Sequence, residues 1–461
     1  MEQLTALDAG FLEAEDSDRH ANLAIGAIAV LDGPMPRPDT VVDSLTKRAL
    51  TAPRLHQLLR TQPLDLGAPQ WVEDTNFDAA HHIRCAALPQ PGDDAALFRW
   101  AADVMERRLD RDRPLWECWV VDGLEGGRWA ILLKVHHCIA DGIAATRLLS
   151  RLCDDGDLSG RGAKRQAARG TVTFSPVDWV GKAWRISSGL PAATLQAVHG
   201  ALDIVTGLLR PAASTSLTGP VTSMRRYAAA EVSLGDVDSV CREFGVTVND
   251  VALAAITDSF RNTLIRRGEK PRRDALRTLV PVSVRSGDAV DRTDNRVSVM
   301  LPYLPVDQAD PVQQLRTVHS RLSRAKASGQ REAGNILVSA ANAIPFALTA
   351  WTVRALTRLP QRGVVTVATN VPGPQKRLRV MGREIVRLLP IPPIAIQLRT
   401  GIAIMSYADR LVFGVIGDYD TAPDVDELAH GIERAVARLV DISDGHWRST
   451  PVGTLQLVQG G

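Results

Sequence analysis

Two adjacent histidines, His136 and His137, are followed by Asp141 and Gly142. An imidazole has an ordinary pKa of about 6.5, so much of it is neutral near pH 7 and can accept a proton from a hydroxyl group. Asp141 stands where a carboxylate can accept hydrogen bonds from the free N–H groups at the start of a helix. Gly142 would allow a tight turn or the close approach of a ligand. These residue types predict general-base chemistry on a loop that a helix cap supports.

The strand predicted before the two histidines and the helix predicted after them determine where the two side chains point. Residues 129–133 form a short apolar run typical of a buried strand, and residues 143–152 space their apolar side chains like a helix. The histidines should therefore lie at a strand-to-helix junction. Neighbouring side chains of a strand point to opposite faces, so both rings cannot face one substrate unless the chain turns between them. We expect one histidine to do chemistry and the other to support it.

Other kinds of site fit the sequence less well. A buried histidine pair beside a helix cap can be purely structural, and the motif alone does not decide this. No zinc site is expected, since neither H-E-x-x-H nor a C-x-x-C pair occurs, and His81 and His82 could add ligands only through the tertiary structure. G-x-S-x-G, G-x-G-x-x-G and G-x-x-x-x-G-K are also missing, which argues against the best-marked hydrolases, dinucleotide-binding proteins and nucleotide triphosphatases.

The run HHCIADG at residues 136–142 resembles the H-H-x-x-x-D-G signature of the wax ester synthase/diacylglycerol acyltransferase family, within the superfamily of CoA-dependent acyltransferases. Further blocks are similar to family blocks and follow in the same order: Leu7–Leu12, Glu15–Asp16, Arg113–Glu117, Val248–Val251, Pro281–Arg285, Asn295–Ser298 and Asn370–Pro374. The likeness spans nearly the whole chain. Through Asp16–His20 and Arg362–Asn370 it is greatest to mycobacterial-type triacylglycerol synthases.

The resemblance implies an α/β fold of two chloramphenicol-acetyltransferase-like domains with a substrate channel between them. It implies acyl transfer from acyl-CoA to a diacylglycerol, giving triacylglycerol, or to a long-chain alcohol, giving a wax ester. Acyl-CoA is a substrate of this reaction, and no cofactor is expected. At 461 residues the chain exceeds the usual size of a single core. We place the N-terminal domain at 1–153, a linker and crossing segment at 154–220, and the C-terminal domain at 221–461.

The same resemblance assigns roles to the residues of the motif. His137 is expected to be the general base that removes the hydroxyl proton and then returns it to the CoA thiolate. His136 should shape the turn and the pocket. Asp141 should orient the loop through a charged partner, for which Arg285 and Arg296 are candidates.

Three polar residues downstream are candidates for substrate binding. Asn370 could donate to the oxyanion of the tetrahedral intermediate, but an Asn before Val-Pro-Gly-Pro can equally stabilise the turn through its side chain. Asn249 and Asp250 precede a predicted helix, so we expect them to cap it first and to bind substrate second.

Two further segments could contact a substrate or its surroundings. A basic run could meet CoA phosphates, although charges at helical spacing usually form a solvated face; it contains Arg321, Arg324, Lys326 and Arg331. The apolar segment 343–359 could lie on a lipid surface, but a helix that lines the core or an acyl tunnel is the favoured interpretation, because a lysine-rich polar face is missing.

Three positions depart from the family pattern. Asp294 stands where relatives often have Gly, and Thr369 where they often have Ser. Ala403 replaces an Asn that many relatives carry, which leaves the preferred acceptor open. None of these departures touches the histidines.

Composition limits the partners and the compartment. The net charge is only +2, so a nucleic acid is not expected as the main partner. Five scattered cysteines favour a reducing compartment over a disulfide framework. Neither a signal peptide nor an apolar stretch of about 20 residues is evident. We expect a cytoplasmic protein that can associate with the inner membrane or with lipid droplets.

The hydrophobic pattern predicts elements along the chain. Residues 154–170 should form a loop, 180–209 helical structure, 211–220 an extended crossing segment and 326–331 a basic loop. The predicted strands are Ala24–Leu31, Thr278–Val284, Val297–Leu304 and Leu411–Tyr419. The predicted helices are Val237–Phe244, Val248–Arg267 and Pro311–Lys326.

Two other functions stay open. A condensation-type enzyme that forms amides shares the H-H-x-x-x-D-G element, but no carrier domain is evident here. A non-catalytic protein could bind lipid or acyl-CoA on the same fold, although the intact motif shows no sign of decay.

Overall fold

The computed structural model describes residues 2–62, 67–154, 215–283, 297–327, 364–394 and 398–445. Their strands are β1 (Glu2–Gln3), β2 (Ala24–Leu31), β3 (Gln57–Arg60), β4 (Gln70–Glu73), β5 (Ile83–Ala87), β6 (Trp116–Leu124), β7 (Arg128–His136), β8 (Arg225–Ser233), β9 (Thr278–Ser283), β10 (Val297–Met300), β11 (Thr366–Val371), β12 (Arg379–Val380), β13 (Arg383–Ile391), β14 (Thr400–Tyr407) and β15 (Arg410–Asp418). Their α-helices are α1 (Ala6–Ser17), α2 (Pro38–Ala49), α3 (Asp94–Glu106), α4 (Gly142–Leu152), α5 (Leu234–Phe244), α6 (Val248–Arg266), α7 (Pro311–Ala327) and α8 (Val425–Ser443). The predicted α/β class is confirmed.

Two six-stranded mixed sheets organise these elements. The first has the order β12-β13-β2-β7-β6-β5, and the second has the order β10-β9-β11-β14-β15-β8. A small third sheet has the order β1-β4-β3. Strand β7, which leads to the histidines, lies inside the first sheet between β2 and β6, so its register is held from both sides.

The first sheet is completed by a strand from late in the chain. Strand β13 pairs antiparallel with β2, with Leu388 opposite Ala29. It also meets the second sheet, because a side-chain carbon added at Gly414 would lie 1.6 Å from the carbonyl oxygen of Pro390. Only glycine permits this approach, and the Tyr227 hydroxyl donates to the same oxygen at 3.0 Å. The backbones of the two sheets are therefore in contact here, and the Tyr227 hydroxyl links the sheets by a hydrogen bond.

Buried apolar clusters fill the space around the sheets. One cluster combines Ile28 and Leu132 of the first sheet with Val412 and Ile416 of the second. Another surrounds α6, whose residues 250–260 are buried on all sides. Because these residues are buried on every face of the helix, the sequence of α6 shows no division into an apolar face and a polar face.

Several predicted elements are confirmed with small shifts of their ends. Strand β2 has the predicted bounds, and β9, α6 and α7 each end within one residue of the prediction. Strand β10 ends at Met300, four residues earlier than predicted, whereas β7 continues past Leu133 to His136 itself. Helix α5 begins at Leu234 and, as predicted, ends before Gly245.

Other predictions fall on parts of the chain that the structure does not describe. The predicted loop and helices between 155 and 214, the apolar segment 343–359, Arg331 and Asp294 all lie there. Of the predicted crossing segment, residues 215–220 are described, and Thr218 bridges to Leu398. Among the described residues, no helix combines the length and the apolarity that a bilayer crossing requires.

Candidate active site

The histidine pair lies where β7 ends and the chain turns toward α4. The His136 amide donates to the carbonyl oxygen of Leu115 at 3.0 Å, and the His137 amide donates to that of Leu23 at 3.0 Å. Residues 137–139 then form a turn. His136 is thus the last residue of the strand and His137 the first residue beyond it, so the predicted strand-to-helix junction is confirmed.

Both ring nitrogens of His136 are engaged, and the side chain is 1% exposed. Its Nε2 lies 2.6 Å from Oε2 of Glu15, while its Nδ1 accepts from the backbone amide of Cys138 at 3.2 Å and lies 2.9 Å from the thiol sulfur. Because an amide can only donate, Nδ1 must be the unprotonated nitrogen. The hydrogen-bond network therefore assigns the proton to Nε2, which donates it to Glu15.

The carboxylate of Glu15 is buried but well supported. Its side chain is 2% exposed, with Arg111 at 2.9 Å and Arg108 at 3.7 Å. Burial alone would raise the pKa of Glu15, but the hydrogen bond with His136 and the positive charges of Arg111 and Arg108 lower it overall. Burial also lowers the pKa of His136, against the opposing effect of Glu15. Near neutral pH the contact is therefore a hydrogen bond from a neutral imidazole to a carboxylate.

His137 is placed differently. Its ring lies 4.3 Å from that of Phe11, centroid to centroid, and it remains partly exposed. Burial by the surrounding atoms lowers the pKa of His137 to about 4, while a backbone hydrogen bond and the charge of Asp141 act in the opposite direction. The imidazole is therefore unprotonated near pH 7 and can accept a proton. A base with so low a pKa takes the proton of a hydroxyl group only while the hydroxyl oxygen is forming its new bond to carbon.

Asp141 is the N-cap residue of α4, as predicted. Its carboxylate accepts from the backbone amide of Ala144 at 2.8 Å, and the residue is 5% exposed. Its candidate partners, Arg285 and Arg296, lie outside the described residues, so that part of the prediction stands untested. The cap fixes the end of the loop that carries His137.

Gly142 has a structural role that the sequence did not suggest. Its backbone is not in the left-handed region, so no tight turn requires glycine here. A side-chain carbon at this position would instead lie 2.5 Å from Cγ2 of Val371. What approaches Gly142 is therefore a protein side chain from β11 of the second sheet, and the glycine lets α4 and β11 meet.

The candidate substrate-binding residues form a second group beside this contact. Asn370, which precedes Val371 in β11, donates from Nδ2 to Oδ1 of Asn249 at 3.4 Å, a long hydrogen bond. The Asn370 side chain thus reaches α6 and not, as the alternative prediction held, its own turn. Both asparagines are partly exposed.

The capping prediction for Asn249 and Asp250 needs a correction. Helix α6 begins at Val248 with Thr247 as its N-cap, so both residues lie inside the first turn and not before it. Asp250 completes a capping box by accepting from the Thr247 amide at 2.9 Å, and it also contacts Nδ1 of His319 at 2.8 Å. Asn249 does not cap, since its side chain oxygen accepts from Asn370. The local signal for a cap was present, but Thr247 was missed.

Glu15 and Phe11 are the functional candidates that sequence reasoning missed. They lie four residues apart on α1, a spacing that puts both side chains on one face of a helix. Phe11 contacts His137 and Glu15 contacts His136. The sequence offers one signal for Glu15, the Glu15–Asp16 block that resembles the family, but only the tertiary structure shows its partner.

The remaining sequence candidates have structural contacts. Trp116, in the block Arg113–Glu117, is 1% exposed and donates from Nε1 to the carbonyl oxygen of Leu55 at 2.6 Å, so it is part of the packed interior. Arg321 donates to the carbonyl oxygen of Tyr303 at 2.5 Å, and Arg324 to that of Ser320 at 3.3 Å. A cavity of about 590 Å³ lies elsewhere, between residues 34–35, 90–91 and 122–128, and shares no lining residue with the histidine site.

Two family models match this chain, one in its N-terminal part and one in its C-terminal part. A family model described as the wax ester synthase/diacylglycerol acyltransferase catalytic domain matches residues 4–252, and a model of the WS/DGAT C-terminal domain matches residues 293–439. The chain is 54% identical to a Mycobacterium tuberculosis protein named probable diacylglycerol O-acyltransferase tgs1, over 99% of this chain and 100% of that one. It is 47% identical to a putative diacylglycerol O-acyltransferase of the same species, over 96% and 92%.

Solved structures agree with the sequence comparison. A wax ester synthase/diacylglycerol acyltransferase from Marinobacter aquaeolei VT8 superposes with a TM-score of 0.67 at 26% identity, over 96% of this chain and 100% of that one. The first condensation domain of the CDA synthetase superposes with a TM-score of 0.60 at 16% identity, over 95% of each chain, and this likeness concerns the fold alone. With both family models and full-length relatives matched, the chain belongs to the wax ester synthase/diacylglycerol acyltransferase family.

Proposed function

We propose that the protein transfers an acyl group from acyl-CoA to the hydroxyl group of a diacylglycerol, with His137 as the general base. The observation that carries this proposal is the state of His137: an imidazole that is neutral near pH 7, partly exposed, and held on a loop between a strand end and a capped helix. The names of the relatives, which are diacylglycerol O-acyltransferases, support the choice of acceptor.

In the proposed reaction the acyl group moves directly between the substrates. His137 removes the hydroxyl proton while the oxygen attacks the thioester carbon, and the carbon–sulfur bond then breaks. The imidazolium returns the proton to the CoA thiolate, so the products are an ester and free CoA. The thioester is already activated, so the protein has only to hold two substrates and a base together.

The neighbouring thiol supports direct transfer. Cys138 follows His137 in the chain and could in principle form an acyl-enzyme, but it is 5% exposed and its sulfur lies against His136. Burial raises the pKa of Cys138 well above its usual value. A thiol that stays protonated and shielded is a poor nucleophile.

We propose Asn370 as a donor to the oxyanion that forms on the thioester carbon. Its amide is partly exposed, and its one side-chain hydrogen bond within the described part of the chain, to Asn249, is long enough to be exchanged for a stronger acceptor. Asn249 and Asp250 would then act by holding Asn370 and the start of α6.

The acceptor also requires contact with lipid. Diacylglycerol partitions into membranes, so we infer that the protein works at a membrane or lipid-droplet surface, without a spanning helix among its described residues. Flotation with liposomes that contain diacylglycerol tests this: the protein should move with the vesicles, and protein that stays at the bottom of the gradient contradicts surface binding.

One assay tests the reaction. Purified protein is given palmitoyl-CoA with either dipalmitoylglycerol or hexadecanol, the neutral lipids are separated, and thiol release is followed. We expect triacylglycerol, with one CoA released for each ester formed. The rate of wax ester formation measures how well hexadecanol serves as the acceptor. Absence of both esters while the protein is folded would overturn the proposed function, and acyl-CoA binding without turnover would indicate a lipid-binding protein.

A further inference from the structure

We propose that Glu15 is a positioning residue for acyl transfer, which acts on His137 through the ring of His136; this rests on the proposed function. Glu15 touches neither substrate in this proposal. Its effect is to hold His136 in the orientation and protonation state that set the turn at residue 137.

His136 closes a hydrogen-bonded loop around the backbone of His137. The imidazole Nδ1 of His136 accepts from the backbone amide of Cys138, two residues later. This bond spans the backbone of His137 and limits the direction in which the chain leaves β7. The side chain of His137 is therefore aimed by its neighbour's ring.

Glu15 holds the imidazole ring of His136 in place. The contact of 2.6 Å between Oε2 and the His136 Nε2 is short, and both side chains are almost fully buried. With Nε2–H donated to the carboxylate, Nδ1 is left as the acceptor that Cys138 requires. Rotation of the ring, or transfer of its proton to Nδ1, would break both bonds together.

Two arginines hold Glu15 itself in place. Arg111 pairs with its carboxylate at 2.9 Å, and Arg108 donates to its backbone carbonyl oxygen at 2.6 Å. Lys134 lies on β7 two residues before His136, so its side chain is on the same face, and it donates to the carbonyl oxygens of Val104 and Arg107 near the end of α3. The segment that carries Arg108 and Arg111 is thereby tied to β7.

Helix α1 connects this support to His137 directly. Phe11, one turn before Glu15, covers a face of the His137 ring. A single helix therefore contacts both histidines, and a shift of α1 would move both. A buried carboxylate loses its hydration, and several partners are needed to offset that free energy. An apolar side chain would fill the same space without this loss, so packing alone does not account for Glu15.

Two variants separate the positioning role from a general effect of charge. Glu15→Ala removes the acceptor, whereas Glu15→Gln keeps an oxygen that can accept from Nε2–H. The matched control is Asp16→Asn. Asp16 is the next residue and also pairs with Arg111, at 3.2 Å, but its side chain is 62% exposed and acts on His136 only through its charge.

Loss of Glu15 should lower kcat and leave KM nearly unchanged. With folded protein, well below the melting temperature, kcat should fall about 100-fold in Glu15→Ala and about 10-fold in Glu15→Gln, the range expected when a catalytic group is misplaced by a fraction of an ångström to one ångström. KM for both substrates should stay within about twofold, because the substrates themselves are not contacted. Asp16→Asn should keep the kcat of the wild type. A folded Glu15→Ala protein with wild-type kcat, or an equal loss in Asp16→Asn, overturns the proposal.

A measurement on the unmodified protein covers the case in which Glu15→Ala does not fold. In ¹⁵N-histidine-labelled protein at pH 7, the His136 ring, assigned with a His136→Gln sample, should carry its proton on Nε2, with a downfield resonance typical of a bond to a carboxylate. A proton on Nδ1 contradicts the proposal. This readout does not need turnover, so an inactive wild-type protein would refute the proposed function while the state of His136 is still decided.

Discussion

The ring of Phe11 lies 4.3 Å from the ring of His137, and the two planes are inclined by 38°. An apolar ring on one face keeps water from the imidazole, and desolvation disfavours its charged form. Phe11 therefore contributes to the burial that lowers the pKa of His137 to about 4. A side chain of α1 thus affects the protonation of a residue that lies 126 positions further along the chain.

Replacement of Phe11 should move the pH dependence of the reaction. In Phe11→Ala, water reaches the ring and the pKa of His137 should rise from about 4 toward its ordinary 6.5. The acid limb of kcat/KM, followed from pH 4.5 to 8, should shift upward, so that the variant loses activity at a pH where the wild type retains it. Phe98→Ala is the control, because Phe98 is also partly buried but packs on Tyr227. Coincident acid limbs in Phe11→Ala and wild type would refute this role.

Removal of the base should abolish most of the rate. His137→Ala should lower kcat by about 10²- to 10⁴-fold, the usual contribution of a positioned base, and leave the melting temperature nearly unchanged. His81→Ala serves for comparison, since His81 is an exposed histidine paired with Asp78. A folded His137→Ala protein with near-normal thiol release excludes His137 as the base.

Protonation of His137 should also couple folding to pH. Between pH 4 and 6.5 the unfolded chain binds more protons at this residue than the folded protein does, because its pKa is lowered on folding. The free energy of unfolding should therefore fall as the pH falls through this range, by up to about 3 kcal/mol. Urea unfolding at pH 7 and pH 4.5 should show a larger loss in wild type than in His137→Ala. Equal losses would contradict the lowered pKa.

Asp141 should act through the helix cap and only weakly through its charge. Asp141→Ala should cost about 0.5–2 kcal/mol of stability together with activity, whereas Asp141→Asn can still cap α4. Asp93 offers a close control: it caps α3 by accepting from Ala96 at 2.8 Å with the same backbone conformation. Asp93→Ala should lose similar stability and keep its kcat. If Asp141→Ala keeps its melting temperature while activity vanishes, Asp141 takes part in the chemistry.

The contact of Gly142 with Val371 can be tested by a double-mutant cycle. Gly142→Ala should destabilise the protein by about 1–3 kcal/mol, since the added carbon would lie 2.5 Å from Val371. Val371→Ala in the same protein makes room for it, so the two changes together should cost less than their sum. Strictly additive effects on the free energy of unfolding would show that this close approach does not exist in solution.

Local patterns were enough to predict the elements around the site. Strand β2, the junction after β7 and the cap at Asp141 all follow from neighbouring residues in the sequence, because alternation, helical spacing and capping are short-range effects. Resemblance of the HHCIADG run and its companion blocks identified the family, which the comparisons confirm.

Contacts between distant parts of the chain could not be predicted in this way. Glu15 and His136 are 121 positions apart, and β13 joins a sheet whose other long strands come from the first third of the chain. Gly142 was expected to serve a turn or a ligand, but its partner is Val371. No periodicity of one segment specifies which other segment will cover it.

By itself, the sequence determined the chemistry that is available: an imidazole pair, a capping carboxylate and a glycine in a fixed order, which no folding step can change. The tertiary structure alone decided which imidazole is buried and bound to a carboxylate and which stays partly exposed. The physical reason is that desolvation and hydrogen bonding, which set the pKa and the orientation of each ring, depend on atoms that folding brings in from α1.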